Sequence, residues 1–247
     1  MTTTDTLVSR ARREFLRSIV AGLAVLAAAL AGLLPPMRRW IKKLRPPGAL
    51  SGSDFFSACI KCGQCVQVCP VQALKLADIN DGAGNGTPYL EPRLQACDFS
   101  CDVLQCILAC PTGALHLEPQ KKEDVRIGRA RFLRPEQCLA RQGKGIRGSA
   151  RGGAFSGLLR YTEIDRWNPI LVANHPYELE QCDLCVRQCP VKGAITMHPL
   201  TQDPHDLRRE PEIHDTCTGC GVCEMICPAE PSCIEIIPLH QTEGTII

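Results

Sequence analysis

The spacing of the cysteines constrains this chain more than any other feature. Two segments carry the same pattern, in which four cysteines are separated by two, two and three residues and the last one precedes a proline. These motifs are Cys59, Cys62, Cys65 and Cys69 before Pro70, and Cys217, Cys220, Cys223 and Cys227 before Pro228. Thiolates with this spacing hold [4Fe–4S] clusters. The sequence therefore predicts iron–sulfur clusters.

Two further groups are irregular forms of the same motif. One is stretched, so that its cysteines are separated by three, four and three residues; the other lacks its first cysteine. The groups are Cys97, Cys101, Cys106 and Cys110, and Cys182, Cys185 and Cys189. Cys138, separated from Cys182 by 43 residues, is predicted to be the missing ligand, the alternative being a structural cysteine. The seventeenth cysteine, Cys233, is expected to be a buried free thiol.

The ligand sets follow from the behaviour of two-cluster proteins, in which the fourth cysteine of one motif ligates the cluster of the other. Pairing neighbouring motifs predicts four sets. They are Cys59, Cys62, Cys65 and Cys110 for cluster one; Cys97, Cys101, Cys106 and Cys69 for cluster two; Cys138, Cys182, Cys185 and Cys227 for cluster three; and Cys217, Cys220, Cys223 and Cys189 for cluster four. Gly63 and Gly221 are expected to let the loop backbone approach a cluster closely.

Neither zinc binding nor disulfide bonding accounts for this spacing of cysteines. Zinc knuckles need neither the third cysteine nor the one before proline, and disulfides need none of the pattern.

Charge excludes a further class of function. Residues 1–50 hold nine basic and two acidic residues, a net charge of +7, whereas the other 197 residues have a net charge of −5. The basic charge therefore belongs to the N-terminal segment and gives no support for nucleic-acid binding.

No catalytic residue is predicted, because no nucleophile elbow, phosphate loop or paired-acid site can be recognised. Alternating segments after the motifs, and short runs before them, are typical of short paired strands. They predict an α+β fold of two tandem dicluster-ferredoxin-like modules with short strands and helices. The modules are predicted at residues 55–118 and 137–247, with a linker at 119–136. A basic, glycine-rich insertion at 141–160 is expected to be either a mobile surface segment or a docking loop for a partner or lipid.

The N-terminal residues 1–34 are predicted to be a targeting segment. Arg12 and Arg13, followed by Phe15 and Leu16, resemble a twin-arginine export signal; the alternative is an ordinary signal-anchor. Residues 19–34 form an unbroken apolar or glycine-containing run, which Pro35 and Pro36 are expected to end. The run is either removed after export or retained as an inner-membrane anchor. A basic, proline-containing linker is predicted at 35–54, and the protein is expected in the periplasm.

Together these motifs resemble the NapG/MauM family of exported ferredoxin-type proteins, over most of the chain. The resemblance is carried by the twin-arginine leader and by the segments at 45–50 (RPPGAL), 57–65 (SACIKCGQC), 138–143 (CLARQG), 182–185 (CDLC) and 215–221 (DTCTGCG). Two features depart from the family pattern: the long gap after Cys138 and the stretched motif that begins at Cys97.

The resemblance implies four [4Fe–4S] clusters on the periplasmic side of the membrane. It also implies electron transfer between a membrane-bound iron–sulfur protein that oxidises quinol and a periplasmic redox enzyme. The alternatives are an electron-transfer subunit of a molybdenum-type oxidoreductase and a redox maturation factor.

Overall fold

The computed structural model describes residues 3–41, 43–81, 84–101, 103–118 and 121–239. The chain divides into two units. One contains Met1–Ile41 and Asp78–Asn85, and the other contains Lys42–Ala77 and Gly86–Ile247. All the cysteines lie in the second unit, which we call the cysteine unit.

The first unit contains one long helix, α1, at Thr3–Ile41. Within it, Arg12–Gly32 is long and apolar enough to cross a membrane, a property that signal sequences near an N-terminus share. The apolar run ends at Pro35 and Pro36, but α1 continues past them to Ile41. A proline removes one helical hydrogen bond but keeps a helical φ, so the chain after it can remain helical.

Short helices and short strands alternate in the cysteine unit, in agreement with the predicted mixture of helix and strand. The helices are α2 (Asp54–Ala58), α3 (Gln64–Gln67), α4 (Gln105–Leu108), α5 (Leu184–Arg187) and α6 (Val222–Ile226). The strands are β1 (Leu74–Leu76), β2 (Pro88–Leu90), β3 (Gly128–Phe132), β4 (Ile146–Ser149), β5 (Leu158–Tyr161), β6 (Asp165–Leu171), β7 (Pro176–Leu179), β8 (Ile195–Pro199), β9 (Arg209–Ile213) and β10 (Ile234–Pro238).

The described strands form five two-stranded antiparallel sheets. The predicted pairing of a strand after one motif with a run before the next is confirmed twice, for β1 with β2 and for β8 with β9. The strand that ends the last motif, β10, pairs instead with β3. The expected strand after Cys110 is reduced to a single bridge between Leu115 and Ala49.

Two segments predicted as connections are part of the packed structure. The predicted linker at 119–136 contains β3, whose partner β10 lies at the other end of the following module. The predicted insertion at 141–160 contains β4 and β5, which pair with β7 and β6. The expectation of a mobile insertion is therefore wrong, and the folded insertion extends to Leu179.

One apolar core joins the two halves of the cysteine unit. We define the N-terminal half as residues 43–77 and 86–118, and the C-terminal half as residues 121–239. Phe55 of α2 and Ile107 of α4 contribute to it from the N-terminal half, and Val222 and Met225 of α6 contribute from the C-terminal half. All four side chains are buried. Because the core is continuous, cysteines from different halves can lie close together.

Candidate iron–sulfur cluster sites

Each motif places one cysteine on a one-turn helix. Cys65, Cys106, Cys185 and Cys223 are the second residues of α3, α4, α5 and α6. The cysteine that precedes a proline follows within two residues of the end of each helix. The remaining cysteines of the regular motifs lie in the loop before the helix. This local geometry turns the first three thiols of a motif towards one cavity and carries the fourth away from it.

The first site is a cavity bordered by Cys59, Cys62, Cys65 and Cys110. Phe55 supplies an apolar wall. Burial, reinforced by the neighbouring thiols, raises the pKa of Cys65 to about 11. Such surroundings disfavour a free thiolate, and binding to iron supplies the positive charge that stabilises it.

The second site is a cavity bordered by Cys69, Cys97, Cys101 and Cys106. Burial raises the pKa of Cys106 to about 12. The backbone N–H of Ala73 donates a hydrogen bond to Sγ of Cys69 at 3.3 Å. Hydrogen bonds to the sulfurs of a cluster are one of the factors that set its reduction potential.

The third site is a cavity that brings Cys138 together with the incomplete motif. The cysteines on its wall are Cys138, Cys182, Cys185 and Cys227, with Cys233 in addition and Cys223 from the adjoining set. The side chain of Cys233 lies within hydrogen-bonding reach of those of Cys138 and Cys227, and its single S–H can donate to one of them at a time. Hydrogen bonding with the side chain of Cys233 lowers the pKa of Cys138 and that of Cys227.

The fourth set, Cys189, Cys217, Cys220 and Cys223, lies close enough together for charge on Cys189 or Cys217 to raise the pKa of Cys220 and Cys223. Cys220 and Cys223 are buried. Burial raises the pKa of Cys220 to about 12 and the pKa of Cys223 well above the usual range. Cys189, which belongs to the preceding motif, thus reaches the thiols of the last one.

Each predicted set therefore combines three thiols with the proline-preceding cysteine of its neighbour. Four thiols around an apolar cavity are the donor set that a [4Fe–4S] cluster requires, so the residues present fit this group. Within the described ranges, no three or more His, Cys, Asp or Glu side chains are arranged to hold a single metal ion. The role of the sixteen cysteines as cluster ligands remains a prediction.

The folded insertion holds the segment that carries Cys97. The side chain of Gln95 exchanges two hydrogen bonds with the backbone of Leu158 in β5, at 2.7 and 2.9 Å. The guanidinium of Arg160 donates to the carbonyl oxygens of Ser100 at 2.9 Å and Phe99 at 3.3 Å. The stretched motif is thus fixed from outside by β5, which compensates for its irregular spacing.

The second and fourth sites lie against each other across the junction of the two halves. The backbone N–H of Cys97 donates to the carbonyl oxygen of Cys220 at 3.1 Å. Nearby, the guanidinium of Arg93 donates to the carbonyl oxygens of Glu224 at 2.6 Å and Cys227 at 2.8 Å. Backbone atoms of one motif are therefore bonded directly to those of another.

Comparison with known proteins gives the same assignment as the cysteine pattern. Residues 58–114 and 180–230 match the 4Fe-4S dicluster domain family. The chain is 36% identical over 242 residues to the ferredoxin-type protein NapG of Escherichia coli (strain K12), covering 95% of this chain and 89% of NapG. The chain belongs to the NapG/MauM family of ferredoxin-type proteins. The resemblance inferred from the motifs is thereby confirmed.

MauM proteins match over similar lengths. The methylamine utilization ferredoxin-type protein MauM of Paracoccus denitrificans (strain Pd 1222) is 34% identical over 199 residues, covering 80% of this chain and 72% of MauM. MauM of Methylorubrum extorquens is 34% identical over 236 residues, covering 93% of this chain and 90% of MauM. No solved structure matches the chain.

The sequence does not reveal two features of this NapG/MauM chain. The first is the position of Cys233, which is buried as expected but lies in the third cavity. It lies just past a complete motif, and the spacing alone gives no sign that it borders the cavity of a cluster. The second is the contact between β5 and the Cys97 segment, because the composition of the insertion indicates only exposure. The basic residue Arg160 is the one available signal, since a cation can satisfy several carbonyl oxygens.

Proposed function

We propose that this protein is an electron relay that holds four [4Fe–4S] clusters on sixteen cysteines. The observation that carries the proposal is the crosswise convergence of the thiols in the four predicted sets. Family membership supports the same cofactor, since the 4Fe-4S dicluster family matches the chain in two segments. We assign one pair of clusters to each of two tandem ferredoxin-like modules, the second of which takes Cys138 from outside its matched segment.

We infer that electrons pass through the clusters in the order first, second, fourth, third. The helices α3 and α4 pack together, and the thiols of Cys65 and Cys106 interact. Cys97 and Cys220 are hydrogen-bonded across the two halves. The helices α5 and α6 also pack together, and Cys223 interacts with Cys185. Electron tunnelling slows steeply with distance, so the route follows these neighbours.

The two ends of this series meet the redox partners. We take the electron donor to be a membrane-bound iron–sulfur protein that oxidises quinol, and the acceptor to be a periplasmic redox enzyme. The names of the relatives support a place in such a chain: both are ferredoxin-type proteins, and MauM is named for methylamine utilization.

The proposed location is the periplasmic side of the inner membrane, after export by the twin-arginine route. The pattern of Arg12, Arg13, Phe15 and Leu16 supports this route, which carries folded proteins. The apolar stretch Arg12–Gly32 supports either a removed signal or a retained anchor at residues 19–34.

Iron and acid-labile sulfide, measured on the protein purified without oxygen, test the cluster content. We expect about sixteen iron atoms per chain with matching sulfide. A value of about twelve would remove one cluster from the proposal, with the irregular Cys138 set as the first suspect. A chain that holds little iron, and contains zinc or disulfides instead, would overturn the proposed function.

A further inference from the structure

Cys233 is held in place by backbone contacts that need no metal. Its carbonyl oxygen accepts hydrogen bonds from the N–H groups of Leu133 at 2.9 Å and Arg134 at 3.3 Å. Its own N–H donates to Sγ of Cys227 at 3.5 Å. The strand β10 begins at the next residue and pairs along β3. The position of this cysteine is therefore set by the fold.

The side chain of Cys233 lies inside the third cavity rather than in the general core. The residue is 3% exposed and borders the cavity with the four cysteines predicted for cluster three. Its thiol lies within hydrogen-bonding reach of two of them, Cys138 and Cys227. The sulfur of Cys233 thus lies beside two corners of the proposed cluster.

We propose that Cys233 is a fifth thiol of the third cluster site, able to bind iron in place of Cys138. This inference rests on the proposed function, since it requires a cluster in that cavity. The exchange involves no change of oxidation state. The thiol of Cys233 gives up its proton and forms an Fe–S bond, while the Fe–S bond to Cys138 breaks and that sulfur takes up a proton.

Cys138 is the ligand that a fifth thiol would replace, because its position in the chain is the least constrained. The folded insertion of 43 residues separates it from Cys182, so Cys138 lacks the short spacing that fixes Cys182 and Cys185 beside α5. Cys227, by contrast, directly follows α6, and Arg93 anchors its carbonyl oxygen at 2.8 Å. Cys233 is six residues from Cys227, and its N–H is hydrogen-bonded to the sulfur of Cys227. The position of Cys227 therefore also fixes that of Cys233.

Iron content and EPR spectra of three variants test the proposal. We expect Cys138→Ala to keep the iron content of the unmodified protein, because Cys233 completes the site. Cys233→Ala should also keep it, because Cys138 is present. The double variant Cys138→Ala/Cys233→Ala should lose about one to four iron atoms per chain and show a three-iron cluster signal or the loss of one cluster. A Cys138→Ala variant as depleted in iron as the double variant would overturn the proposal.

The first site provides the matched control. Cys59 is the first cysteine of its motif, as Cys138 is, but no fifth cysteine borders the cavity around it, and all seventeen cysteines are described. We expect Cys59→Ala to lose iron as the double variant does. If Cys59→Ala also keeps all its iron, retention at Cys138→Ala has nothing to do with Cys233 and the inference fails. Little iron in the unmodified protein would instead count against the proposed function.

Discussion

Gly63 and Gly221 occupy the same place in the two regular motifs, immediately before α3 and α6. Both have a left-handed backbone, with φ of 75° and 90°. A Cβ added at Gly63 would meet Leu76 at an ordinary 3.7 Å, whereas one added at Gly221 would come within 2.5 Å of Pro92. Both positions therefore require a left-handed backbone. Only at Gly221 does the absence of a side chain also make room for Pro92 from the other half of the cysteine unit.

We expect Gly221→Ala to lower the free energy of unfolding by about 2–4 kcal/mol, because it combines a left-handed backbone with overpacking against Pro92. Gly63→Ala, the matched control, should lower it by about 1 kcal/mol, from backbone strain alone. Urea unfolding of both variants under anaerobic conditions measures the difference. Equal losses would show that the contact with Pro92 does not contribute.

The motif identifies both glycines from sequence, but not what lies next to them. A cluster is the expected neighbour, and at Gly221 the close neighbour is Pro92, 129 residues earlier in the chain. Local spacing specifies a loop conformation, since the residues concerned are adjacent. It carries no information about which distant segment packs against that loop.

At the scale of helices and strands, the sequence predicts the pairs of strands that are close in the chain, but not the pair whose strands are far apart. In β1 and β2, Leu74 lies opposite Leu90, and in β8 and β9, Ile195 lies opposite Ile213. These partners are close in sequence and flank neighbouring motifs. In β10 and β3, by contrast, Ile234 lies opposite Phe132. Alternation marks β10 as a strand, but a partner 102 residues away follows only from the tertiary fold.

The insertion is the element whose role the sequence predicts least well. Its glycines and basic residues are typical of an exposed, mobile segment, yet β5 holds the Cys97 segment through Arg160 and through Leu158. The longer motif and the longer gap after Cys138 are thus linked in the structure. The long insertion after Cys138, which is one departure from the family pattern, therefore stabilises the stretched motif, which is the other.

Removing the hydrogen bonds that Arg160 donates to the Cys97 segment should weaken the second site. We expect Arg160→Ala to lower the free energy of unfolding by about 1.5–3 kcal/mol, because hydrogen bonds from a charged donor to two carbonyl oxygens are lost. It should also speed the removal of one cluster by an iron chelator, followed by absorbance. Arg147→Ala in β4, an exposed arginine of the same insertion, is the control and should change neither quantity. Identical behaviour of the two variants would show that the hydrogen bonds of Arg160 do not stabilise the second site.

At the scale of the whole molecule, the inferred order makes the second and fourth clusters inner members of the series. Neighbouring reduced clusters couple magnetically, so loss of an inner cluster should alter the EPR signals of two others. Loss of a terminal cluster should alter only one. We expect Cys220→Ala, at the fourth cluster, to show the first behaviour, and a variant of the exposed Cys62, Cys62→Ala at the first cluster, to show the second.

Iron content must first show that each variant has lost one cluster. EPR spectra of the fully reduced variants are then compared with those of the unmodified protein. If Cys62→Ala changes the signals of two remaining clusters, or if Cys220→Ala changes only one, the linear order is wrong. The contact between Cys97 and Cys220 would then not be the path between the two halves.

The crosswise pairing of thiols also determines when each pair of clusters can be completed during translation. With the proposed ligands, the first two clusters can be completed only when Cys110 has been synthesised, and the last two only when Cys227 follows, 117 residues later. At about 5–20 residues per second, this interval lasts roughly 6–23 s. During that time the N-terminal half can be loaded with iron while the lone Cys138 and the insertion wait for their partners. Nascent chains halted between these two points would hold two clusters, not four.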